Sequence, residues 1–144
     1  MSNQTPCIVV ACDGSEHSIQ AAKMGEKLAT ALNQPLKLLA VFPGSKAERL
    51  VFTGVWPADI EQEQQDFGEN AFKAAKEVIN IDPDEEVVLR GHPVEEISDY
   101  LEEHPGAHMV LGRRGNSMAR SLVMGSISEG VVRHAKGPVT VVSQ

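Results

Sequence analysis

Cys7-Ile8-Val9-Val10-Ala11-Cys12, followed at once by Asp13-Gly14-Ser15, is the stretch on which the fold turns. An unbroken apolar, β-branched run of this length is the pattern of a strand buried on both faces in a parallel sheet. Ser15 is placed to cap a helix whose apolar and small positions Ile19, Ala22, Gly25, Ala29 and Leu32 recur at three- and four-residue steps, until Asn33-Gln34-Pro35 stops it. Working outward, residues 36–42 predict a second strand, and Pro43-Gly44 opens a weakly patterned stretch to Trp56 that reads as a long loop. A helix is predicted over residues 57–80, with Phe67, Ala71, Ala74 and Val78 on its inner face. Residues 86–90 predict a third strand, and Val94, Ile97 and Leu101 are the core positions of the next helix. Residues 108–112 predict a fourth strand, residues 126–135 a helix with Ile127, Val131 and Val132 inward, and residues 139–142 a last strand. Five strands alternating with four helices predict an α/β fold, a single open parallel five-stranded sheet with helices on both faces, because crossover helices connect parallel strands.

Composition agrees with a single domain over residues 1–144. Apolar residues make up 42% and charged residues 23% of the 144, which excludes a disordered chain. The run from Cys7 to Cys12 is the longest apolar one, far short of the roughly 20 residues of a membrane span. No secretory signal pattern opens the sequence, so a cytoplasmic location is expected. Cys7 and Cys12 fall on opposite faces of one strand, roughly 16 Å apart, beyond the reach of a disulfide. Charge is unevenly placed: residues 48–103 carry sixteen acidic and four basic side chains, whereas residues 104–144 carry five basic side chains and Glu129 as their one acid. The acidic middle and the few aromatics exclude nucleic acid as a partner, and the basic, glycine-rich C-terminal third suits an anion of nucleotide size.

Ligands of open parallel sheets sit beyond the carboxyl ends of the strands. There the sequence offers Gly112, two residues, Gly115, nine residues, then Gly125-Ser126 at a helix start. Glycines let several backbone amides turn toward one anion, and a helix N-terminus adds unpaired amides and the positive end of its dipole. Arg113, Arg114 and Arg120 add positive charge to the same loop. Neither a Walker A loop nor the Rossmann fingerprint occurs. Taken alone, the three glycines serve turns as readily as phosphates.

Asp13-Gly14-Ser15 after the first strand, Ala40-Val41-Phe42 ending the second, the Gly-x2-Gly-x9-Gly-Ser array and the terminal Gly137-Pro138-Val139-Thr140-Val141-Val142 together resemble the universal stress protein family, over essentially the whole chain. The resemblance, in particular to the family's ATP-binding subgroup, implies a sheet in the order 3-2-1-4-5, ATP at its carboxyl edge, and a homodimer joined through the last strand, Val139, Thr140, Val141 and Val142. It also implies roles by position. Asp13 resembles the acid near ribose and adenine, though it also fits as a plain helix-start acid. Val41 resembles the residue whose backbone meets adenine, with Ala11, Cys12 and Leu111 lining the base pocket. Gly112 and Gly115 would approach ribose and phosphates, Gly125 and Ser126 would bind the phosphate chain, and Arg113, Arg114, Ile127 and Ser128 complete the cofactor-binding set. The sequence departs from the family at His108, where many members carry Asp, and at Arg113-Arg114, bulkier than the usual pair. Those guanidiniums would either strengthen phosphate binding or fold into the site.

The function expected is that of an ATP-binding regulator, with Mg²⁺ or Mn²⁺ held through the phosphates, acting through nucleotide-dependent dimer contacts or contacts to an unidentified regulatory protein partner. A slow nucleotide hydrolase and an ATP-independent scaffold are the alternatives. Residues 44–56 and 113–124 are the segments expected to order on binding. The five histidines show no zinc-type pairing, and no nucleophile elbow occurs.

Overall fold

The computed structural model describes residues 5–113 and 125–143. The elements run β1 (Cys7–Ala11), α1 (Glu16–Leu32), β2 (Leu36–Pro43), α2 (Gly44–Phe52), α3 (Pro57–Val78), β3 (Glu85–Gly91), α4 (Pro93–Glu103), β4 (Ala107–Gly112), α5 (Ser126–His134) and β5 (Val139–Val142). All strand pairs are parallel and the order is β3-β2-β1-β4-β5. β1 is central because it is apolar throughout: Ile8, Val9 and Val10 are fully buried between β2 and β4.

The two faces of the sheet carry separate cores. Ile8, Val10, Leu38 and Val110 pack with Ala21, Ala22 and Ala29 of α1 and Ala71, Phe72 and Ala75 of α3. Cys7, Val9, Leu39, Met109 and Leu111 pack with Ile97, Tyr100 and Leu101 of α4 and Val131 of α5. The strand alternation therefore sends Cys7 and Cys12 to opposite cores, and both are free thiols. Small residues set the helix-to-sheet distance on the first face: a Cβ at Gly25 would overlap Val10 Cγ2, and one at Gly68 would overlap Val88 Cγ2.

Three expectations are corrected. Residues 44–52 are a fifth helix, α2, where the sequence predicts a loop; it is short, turns only Ala47 and Leu50 toward the core and leaves Val51 and Phe52 exposed, so its inward face is a single helical step. α3 ends at Val78 and turns Ile60, Gly68, Ala71, Phe72 and Ala75 inward, so Ala74 and Phe67 are half-buried flanks of that face. In α5 only Val131 of the three expected residues is buried, while Ile127 and Val132 are 41% and 47% exposed. The helix packs against α4, and Gly130 meets Val94 where a larger residue would hold the two apart.

Candidate functional site

β1 is followed by β2 and β3 on one side and by β4 and β5 on the other, so the order reverses between β1 and β4. Past the carboxyl ends of these strands lies a cleft of about 320 Å³. Its floor is Ala11, Leu39, Ala40 and Leu111; Pro43 and Phe67 wall it on the α3 side and Pro93 and Ile97 on the α4 side. Apolar walls of this kind suit a flat ring system.

The polar groups come from the turn after β1, the first turn of α1 and the start of α5. Asp13 Oδ1 accepts a hydrogen bond of 2.9 Å from the Ser15 amide, which closes the turn between β1 and α1. Gly14 sits at the apex of that turn with φ +81°, a conformation that a side chain would strain. Ser15 Oγ then accepts from the Ser18 amide at 3.2 Å, so the start of α1 is capped by its own chain. The start of α5 differs. Gly125 is its N-cap and supplies no side chain, and Gly125, Ser126, Ile127 and Ser128 all line the cleft. First-turn amides of a helix have no acceptor within it, so those of Ser126, Ile127 and Ser128 present donors and the positive dipole end to the cleft.

Arg113 fixes that helix start through its backbone. Its carbonyl accepts from the Gly125 amide at 2.8 Å and from Ser128 Oγ, and its amide donates to Val142 O at 2.8 Å. The chain thus leaves β4 and returns to α5 through one hydrogen-bonded base. Ser128 is buried and its hydroxyl also faces Gly125 O, so the side chain serves this base and its backbone alone is left to meet a ligand.

Of the residues singled out from the sequence, Ala11, Cys12, Asp13, Val41, Leu111, Gly112, Gly125, Ser126, Ile127 and Ser128 come together on the one cleft. Arg113 lies beside it, while Arg114 and Gly115, like Arg120, fall outside the described residues. Burial pushes the Cys12 thiol up to about 12, so it is a neutral wall atom. His108 lies near the opposite end of β4, its Nε2 at 2.7 Å from Thr140 Oγ1. Ser18, Leu39, Ala40, Pro43, Phe67, Pro93 and Ile97 were not anticipated; Pro43 and Pro93 stood in the sequence as turn signals at strand ends, the place where such a cleft opens. Among the described residues, no cluster of His, Cys, Asp and Glu is arranged to hold a metal ion.

The fold defines a doubly wound α/β protein with a cleft at its switch point, lined by apolar side chains and by the start of α5. The chain belongs to the universal stress protein family, whose model matches residues 7–143. It is 28% identical to a universal stress protein of Methanocaldococcus jannaschii over 142 residues, covering 95% of this chain and 81% of that protein. Among solved structures, it is similar to a universal stress protein in complex with cAMP (23% identity, TM-score 0.64, 97% of this chain and 98% of that one). It is also similar to a universal stress protein from Archaeoglobus fulgidus in complex with dAMP (19% identity, TM-score 0.61, 94% and 96%). No helix among the described residues is long and apolar enough to cross a membrane.

Proposed function

We propose that this protein is an ATP-binding regulator of the stress response, in which nucleotide occupancy of the cleft changes contacts within a homodimer or with a protein partner. The observation that carries the reading is the start of α5, without a side-chain cap, on a cleft whose remaining lining is apolar apart from Cys12, Asp13 and Ser18. Adenine is assigned to the apolar surface formed by Ala11, Val41 and Leu111, ribose to Asp13, and phosphates to the amides of Ser126, Ile127 and Ser128. Two relatives of the same fold are in complex with cAMP and dAMP, both adenine nucleotides, which supports the choice of base. Among the described residues no group of carboxylates, histidines or cysteines is arranged to hold a cation, so Mg²⁺ or Mn²⁺ would enter on the phosphates and keep its water ligands. Arg114, Gly115 and Arg120 are assigned to the phosphate end by their place in the array.

The homodimer is assigned to the outer edge of β5, and a cytoplasmic setting is supported by two buried thiols left unpaired. Calorimetric titration of the purified chain with Mg-ATP tests the central assignment: saturable binding is expected, weakened when Gly125 is replaced by a bulky residue. Absence of heat at millimolar nucleotide, with AMP and cAMP equally silent, would remove the reading.

A further inference from the structure

Seven large apolar side chains are exposed among the described residues, and three of them, Val51, Phe52 and Trp56, fall within six consecutive positions. Phe52 is 90% exposed and Trp56 75%. They end α2 and begin α3, and the turn between them is tight: the Gly54 amide donates to Val51 O at 3.0 Å and the Val55 amide to Leu50 O at 3.0 Å, with Gly54 at φ +87°. Beneath this turn Phe42, Ala47 and Ile60 form a small core of their own, so the aromatic tip rests on a built support.

From Trp56 a charged stripe runs along α3. Asp59, Glu63, Asp66 and Asn70 follow at four- and three-residue steps and so share one helix face, with Glu69 flanking it and no basic residue in α3 before Lys73. Glu63, Asp66 and Asn70 line a groove of about 330 Å³ with Asp13 and Phe67. The groove already holds one cation of its own chain: Lys46 Nζ lies 5.8 Å from the Phe42 ring centroid and 5.7 Å from that of Phe67. Lys46 and Arg49 leave the surrounding carboxylates in excess.

We propose that the Phe52–Trp56 tip and the acidic stripe of α3 form one docking surface for a basic segment of a partner protein that also carries a large apolar side chain. The aromatic tip supplies the anchor and the stripe supplies the orientation, the division of labour of protein interfaces. The excess of carboxylates selects against nucleic acid and against anionic membrane surfaces. Because the groove shares Asp13 and Phe67 with the nucleotide cleft, the surface lies where occupancy of one site is felt at the other. Docking itself does not require the nucleotide.

Trp56 is the one tryptophan of the chain, so its emission reports directly on the tip. The full chain, without nucleotide, is titrated with a tryptophan-free synthetic peptide of alternating Arg and Leu. A saturable blue shift is expected, weakened by rising ionic strength, and weakened at least about tenfold by Phe52→Ser and by Glu63→Gln with Asp66→Asn. Phe52 is too exposed for its replacement to unfold the domain. Loss of similar size in a variant carrying Asp99→Asn and Glu103→Gln on the exposed face of α4 would reduce the effect to net charge and overturn the proposal. So would an equal shift with a Glu-Leu peptide, a shift on anionic vesicles, or self-association of the chain that Phe52→Ser abolishes.

Discussion

Gly112 illustrates how one residue answers to two demands. A Cβ there would lie 2.6 Å from His17 Cβ and 2.7 Å from the carbonyl carbon and oxygen of His17. The first turn of α1 therefore rests on the end of β4, and because the obstacle is backbone it cannot swing aside. Gly112→Ala is expected to cost about 1–3 kcal/mol in urea unfolding, whatever it does to ligand affinity. Unchanged stability with lost nucleotide binding would return Gly112 to the phosphates alone. The sequence assigned this glycine to ribose and phosphates, whereas the close neighbour that the structure shows is a helix 95 positions upstream, which no local pattern reveals. His108 is part-buried near the start of β4, its Nε2 beside Thr140 Oγ1. Burial lowers its pKa from the ordinary histidine value, so the folded state resists the proton that the unfolded chain accepts. Its contribution to stability is complete above the unfolded value near pH 6.5 and falls as pH drops through the lower folded value. Unfolding free energy measured across that window should slope upward with pH, and His108→Gln should flatten that part of the slope.

Elements were legible where burial imposed a period and illegible where it did not. β1 announced itself because every side chain from Cys7 to Val10 is buried, whereas α2 stayed hidden because Pro43-Gly44 reads as a break and Val51 and Phe52 face away from the core. The inner face of α3 was set slightly off because Gly68, fully packed against β3, gives no apolar signal. The two edge strands are treated unequally. Over β3, Gln64 of α3 donates to Val88 O at 3.1 Å and accepts from Arg90 Nε at 2.8 Å, which covers part of that edge. On β5, Pro138 O and Val142 O accept from the amides of Met109 and Arg113, so by alternation Val139 and Val141 turn their backbone groups to the outer edge. Val141→Pro then deletes an outward donor and leaves the β4 ladder in place. The sedimentation profile is expected to shift toward monomer with the thermal transition little changed; an unaltered dimer would put the interface elsewhere.

At the scale of the molecule, the proposed function predicts a cleft that retains a nucleotide and turns it over slowly at most. Hydrolysis needs a base within hydrogen-bond reach of the attacking water. Among the described residues lining the cleft, Asp13 is the one carboxylate; no histidine lines it, and Asp13 Oδ1 is engaged by the Ser15 amide. Residues 114–124, Arg-Gly-Asn-Ser-Met-Ala-Arg-Ser-Leu-Val-Met, contain no Asp, Glu or His at all. His17 meets Gly112 through its Cβ and backbone and does not line the cleft. ATP at a hundredfold excess over its dissociation constant is therefore expected to stabilise the fold by about 2.7 kcal/mol, a rise of roughly 8 °C in Tm, while turnover stays far below an enzyme's median of about 10 per second. A thermal scan beside a phosphate-release assay on the same sample reads both quantities. Stabilisation without release leaves occupancy as the signal, which a partner can sense only through its unequal affinity for the empty and filled states. Release at several per second, abolished by Asp13→Ala in a chain that still binds nucleotide, would make Asp13 the missing base and the protein an enzyme.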